Sequence, residues 1–115
     1  MSEQIQGIEL SIETAKEMLK RCNNEVKLAE NAQFKDVIIE GYLKEEAARL
    51  ASMLAEPQMQ DEINQRELYS AIKAIGHLRQ YLINIRMTGE RLKADILDGE
   101  ETVQMLLDEA SEDTE

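Results

Sequence analysis

The chain has no tryptophan, one proline, one cysteine, one histidine and five glycines in 115 residues. Its aromatic side chains are four: Phe34, Tyr42, Tyr69 and Tyr81. The core must therefore be aliphatic, built from Leu, Ile, Met and Ala. A single cysteine, Cys22, excludes an intrachain disulfide and suits a reducing compartment. With so little proline, and no β-rich run between turn residues, helix is the element left, and Glu, Lys, Leu, Ala, Gln and Met favour it. No segment approaches the ~18 apolar residues that a membrane helix needs. The opening "MSEQIQGIEL" lacks the basic segment and apolar run of a signal peptide. The expectation is a soluble, intracellular, all-α protein with no membrane partner.

Positive charge is also scarce. Thirteen Lys and Arg face twenty-four Asp and Glu, for a net charge of −11. Residues 98–115 hold eight of the acids and no base, so the other 97 residues carry only −3. A nearly balanced body argues against direct nucleic-acid binding, which needs a basic patch.

Residues 2–30 space their apolar side chains with a coiled-coil rhythm. Ile5, Ile8, Ile12, Ala15, Leu19, Cys22, Val26 and Ala29 follow one another at steps of three and four. This heptad seam predicts a helix over about 3–30. So narrow a seam needs a partner helix, either from this chain or from another copy. Ile5, Ile8, Ile12, Leu19, Cys22 and Val26 are the candidate oligomer seam, because a thin helical molecule of this size buries little surface alone. Glu17 and Lys20 attract at i,i+3, as do Glu13 and Lys16.

Past residue 30 the stripe changes register to Phe34, Val37, Ile38, Tyr42, Leu43, Ala47, Leu50 and Leu54. Asn31 can end one helix or cap the next, and one bent helix over 2–56 stays open. Pro57 disfavours helical geometry at Glu56, and "EPQMQDE" suits a short link between antiparallel helices. Asp61 is the candidate N-cap of a helix over 61–97. Its seam is Leu68, Ala71, Ile75, Leu78, Leu82, Ile85, Gly89, Leu92 and Ile96. The "DG" at 98–99 is expected to end it, with Gly99 in a left-handed conformation. The whole is expected as an antiparallel hairpin of about 32–56 and 61–97 plus the N-terminal heptad helix, forming a helical bundle or coiled-coil oligomer. Residues 1–97 make one domain and 98–115 a flexible acidic tail.

Gly41 and Gly76 sit inside helices, where Gly costs roughly 0.5–1 kcal/mol relative to Ala. Their midpoint falls in the Pro57 turn, so a hairpin places them opposite each other. The expectation is a close helix crossing at Gly41 and Gly76, flanked by Tyr42 and His77.

Chemistry is sparse. His77 has Lys73, Ala74, Gln80 and Tyr81 at i±3 and i±4, none a good metal partner, so it reads as structural. Cys22 lies in the seam and reads as packing. Glu40, Glu45 and Glu46 form a solvated acidic face, with Glu45 expected to pair with Arg49. There is no phosphate-binding glycine loop and no triad context. No catalytic, cofactor or metal residues are assigned, and an enzyme is not expected.

Two segments, "FKDVIIEGYLKEEAARLASMLAEPQMQD" and "AIKAIGHLRQYLINIRMTGERLKADI", carry a resemblance. Phe34, Lys35, Val37, Ile38, Gly41, Tyr42, Arg49, Leu50, Pro57, Ala74, Ile75, Gly76, Leu78, Arg79 and Tyr81, followed by an acidic C-terminus, resemble small uncharacterised α-helical proteins of tailed bacteriophages. The resemblance covers about residues 30–115. It implies a phage protein from the head and packaging genes, made in the host cytoplasm, with the virion as a second location. The expected function is a non-enzymatic structural or assembly protein that self-associates and meets other phage structural proteins. A small acidic inhibitor of a host defence or nucleic-acid enzyme is the alternative. A small-ligand binder near Tyr42, His77 and Tyr81 is the third.

Overall fold

The computed structural model describes residues 2–113. The order is α1 (Ser2–Glu30), α2 (Ala32–Phe34), a π-helical segment (Lys35–Glu46), α3 (Ala47–Leu54), a 3₁₀ turn (Pro57–Met59) and α4 (Glu62–Asp113). The fold is all-α, with no strand among the described residues.

Asn31 ends one helix and starts the next. Its backbone is extended (φ −71°, ψ 125°), and its side-chain oxygen accepts the Phe34 N–H at 2.9 Å. That bond satisfies one of the donors a helix start leaves unpaired. Residues 2–56 are therefore two helical stretches. Asn31→Ala is expected to lose about 1 kcal/mol, a fall of about 4 °C in melting temperature by circular dichroism.

From α2 the chain widens into the π-helical segment, where bonding runs i→i+5. Gly41 lies inside it. A Cβ on Gly41 would lie 3.2 Å from the carbonyl oxygen of Asp36, five residues back in its own helix. The wide turn also re-aims the apolar stripe. Ile38, Ile39, Tyr42 and Leu43 turn toward the core, while Val37 is left 62% exposed, against expectation. A Val37 placement drawn on 3.6 residues per turn fails where the turn holds more.

The link after α3 behaves as its proline requires. Glu56 is extended (φ −70°, ψ 134°) before Pro57. The amide of Gln60 donates to the carbonyls of Leu54 and Glu56 at 2.8 and 2.7 Å, and that of Gln65 to Leu54 and Met59 at 3.1 and 2.8 Å. These donors satisfy carbonyls that a helix end leaves open. Asp61 then caps α4, accepting the Asn64 N–H at 3.1 Å. That backbone bond, with the Asn64 amide, holds the Asp61 carboxyl below its usual range. A lowered folded pKa means stability present above the ordinary value and lost as pH falls through the folded one. Asp61→Asn, which keeps a capping oxygen but does not titrate, is expected to lose stability less steeply than the native chain below about pH 4. Melts across that range check it.

α4 does not stop at 97. It continues through Asp98 and Gly99 to Asp113, and no glycine among the described residues has a positive φ. The expected flexible tail is thus corrected to helix as far as the described residues go; Thr114 and Glu115 lie outside them. The reason is the heptad, which carries on as Gly99, Val103, Leu106 and Ala110, each half-buried.

The chain divides into two compact units, one holding the residues up to Glu25 with those from Ile85 on, the other Val26–Asn84. The Val26–Asn84 unit is an antiparallel hairpin. Leu43, Leu50, Leu68 and Ile75 form its buried core, flanked by Tyr42, Ala47, Met53, Leu54, Ala71, Ile72, Leu78 and Leu82. Ile75 is its most buried side chain, at 2% exposed. In the other unit α1 packs antiparallel on α4, with Ile12 against Gly99 and Cys22 against Gly89.

Candidate functional site

The seam assigned to self-association is filled within the chain. Ile12 and Cys22 are buried, at 8% and 6% exposed, and Ile5, Ile8, Leu19 and Val26 are half-buried. Ile8, Ile12, Leu19 and Cys22 all lie within 4 Å of a Cβ position on α4. A seam with steps of three and four needs one partner helix, and the second half of α4 supplies it. The oligomer seam is therefore corrected to an intramolecular one.

The glycines that matter for close approach are also different. A Cβ at Gly76 would meet nothing within 4 Å, and Gly76 and His77 are exposed. Gly76 follows the buried Ile75, so it points roughly 100° round the helix from the seam. Gly41 meets only its own helix, and Tyr42 packs on the hairpin core. The expected crossing at Gly41, Gly76, Tyr42 and His77 does not form. The hairpin register is near the one expected, but opposite positions touch only when they share the facing side. A Cβ at Gly89 would instead lie 2.9 Å from Cys22 Cβ, and one at Gly99 would lie 3.0 Å from Ile12 Cγ1. Both occupy seam positions of α4, and that spacing was the available signal.

Polar ties are few. Arg79 donates to the carbonyl of Leu43, in the π-helical segment. Arg86 grips Glu25 through Nε and Nη2, at 2.6 and 3.1 Å from its two oxygens. Arg49 pairs with Glu46 at i,i+3 rather than with Glu45. Hydrogen bonding to Arg49 lowers the Glu46 pKa, and Glu46 raises that of Arg49. Glu17–Lys20 forms as expected at 2.9 Å, whereas Lys16 reaches Glu100 at 3.9 Å. The Glu17–Lys20 and Lys16–Glu100 pairs are exposed on both sides and contribute little stability.

No group of three or more His, Cys, Asp or Glu placed to hold a metal occurs among the described residues. Tyr81 is 56% exposed and His77 lies on the exposed side of α4. Comparison with known proteins finds no family model, no curated relative and no solved structure that matches this chain. What the geometry offers is surface. In the hairpin unit Val37, Ile63, Tyr69, Tyr81 and Ile83 stay 43–67% exposed. In the other unit so do Leu10, Met87, Leu97 and Met105, at 57–68%.

That second unit also separates its charge. Residues 2–15 and 94–112 hold ten acids, all exposed, and no Lys or Arg. Residues 16–25 and 85–93 hold six bases and three acids. The acids from Asp98 to Glu112, expected on a mobile tail, are arrayed along α4.

Proposed function

We propose that the chain is a non-enzymatic structural or assembly protein of a tailed-phage particle. It works in the host cytoplasm through helix–helix association with copies of itself and with other phage structural proteins. The observation that carries this is the set of large apolar side chains left exposed on two-helix units: each pair buries one narrow seam, and Ile63, Tyr69, Tyr81 and Ile83 remain on the outside. Tyr69 and Ile83 fall on one side of α4, about 40° apart at 100° per residue, and apolar side chains that share an exposed face mark surfaces that meet other proteins. The phage setting is supported by the resemblance alone. Mass spectrometry of purified virions and proheads tests it: the protein is expected in at least one of them, and absence from both defeats the reading. For self-association, light scattering of the purified chain is expected to show an oligomer whose mass falls in Tyr69→Lys/Ile83→Lys.

A second reading, an acidic inhibitor of a host nucleic-acid enzyme, gains from one observation. The carboxylates from Asp98 to Glu112 ride on a helix, and a charge mimic needs its acids on a rigid surface. Coprecipitation of host nuclease or polymerase at moderate salt would favour it.

A further inference from the structure

Beside the Ile12–Gly99 contact, the unit containing α1's first residues carries a groove of about 630 Å³, lined by Glu9, Leu10, Ile12, Glu13, Lys16, Glu100 and Val103. Its floor is apolar, from Ile12 and Val103, and Leu10 stands 68% exposed at its side. Glu9 and Glu13, one helical turn apart, edge it from α1, and Glu100 edges it from α4. We propose that this groove docks a Lys/Arg-rich amphipathic helix of a partner protein.

The occupant follows from the chemistry of the walls. A groove between two antiparallel helices is the site where a third helix lays its apolar stripe. The rim then selects that helix's edges, because Glu9, Glu13 and Glu100 lie where its flanking side chains would fall. A second copy of this end would set ten carboxylates against ten, with only Lys16 at the groove to offset the repulsion. Anionic lipid and nucleic acid meet the same repulsion. A basic helix is attracted by the whole end and seated by the groove. The one base on the rim, Lys16, is held by Glu100 only at 3.9 Å, so an incoming cation can compete for that carboxylate.

The inference rests on the assembly reading for its partner being a protein, but it is read out on the isolated chain. Particle composition and peptide binding can therefore fail separately. The probe is a labelled Lys/Leu peptide of about 18 residues with leucine at helical spacing, long enough to fold on a surface. Its control is the same composition in scrambled order, with equal charge and no apolar face. By fluorescence anisotropy at about 150 mM salt, where long-range attraction is screened, the amphipathic peptide should bind at least about tenfold tighter. Leu10→Gln and Glu9→Gln/Glu13→Gln should each weaken it about fivefold or more. Leu28→Gln, an exposed leucine of the hairpin unit, should not change it. All four positions are exposed, so the variants keep their helicity. Equal binding of the two peptides overturns the proposal, as does equal weakening by Leu28→Gln. A dimer that Leu10→Gln dissolves in sedimentation velocity would give the groove to a second copy and overturn it too.

Discussion

Ile75→Asp is expected to abolish cooperative unfolding of the Val26–Asn84 hairpin. Ile75 is 2% exposed and belongs to the core made with Leu43, Leu50 and Leu68. Truncating such a residue to Ala costs about 2–5 kcal/mol. Asp adds a charge with no basic partner in that cluster, and an unpaired buried charge is the costlier error. Small domains have only about 5–15 kcal/mol in total, and two helices around one seam should fall low in that range. Tyr81→Asp, on the same helix but 56% exposed, should stay within about 0.5 kcal/mol of the native chain. Urea titrations followed by circular dichroism separate the two. A cooperative transition of Ile75→Asp at the native midpoint would mean that α4 does not pack by this face.

Gly89→Leu and Gly76→Ala should shift stability in opposite directions. Both remove a helix-interior glycine, which by propensity alone is worth about 1 kcal/mol. Gly76 faces open space, so Gly76→Ala should realise that gain and raise the melting temperature by about 4 °C. At Gly89 the first added carbon already lies 2.9 Å from Cys22 Cβ, an atom that no rotamer change can move. α1 must back away, and overpacking of this kind costs about 1–3 kcal/mol before the rest of the leucine is placed. The net should be a loss, with melting lowered by several degrees. Gly99→Ala should be milder, since its nearest neighbour at 3.0 Å is Ile12 Cγ1, which lies further out on a side chain. The clearest check is a swap. Gly89→Ala/Cys22→Gly moves the missing carbon to the other side of the same contact. It should recover part of what Gly89→Ala loses, making the pair non-additive. If Gly89→Leu melts higher than the native chain, the α1–α4 contact is not there.

The sequence by itself determined the helices as far as Leu97 and most of their buried faces, but not the π-helical turns of Lys35–Glu46. Steps of three and four marked Ile5 to Ala29 and Leu68 to Ile96, because helical geometry puts such residues on one side wherever the helix packs. Asn31, Pro57 and Asp61 marked the joints, because capping and proline act through neighbours a few residues away. Three matters needed the tertiary structure. Whether the α1 seam meets this chain or another copy is a question of partner, and a seam looks the same for either. Gly99 looked like a helix end because Asp-Gly often is one locally. Packing against Ile12 and Ile8 holds it in the helix instead, so the tertiary contact overrides the local preference. Gly41 and Gly76 lie nearly opposite in the hairpin, yet a pairing along the axis says nothing of rotation about it. Ile75 took the facing side, and the helix turn carried Gly76 away from it. Gly89, in step with the buried Leu92, was left to let the backbones close.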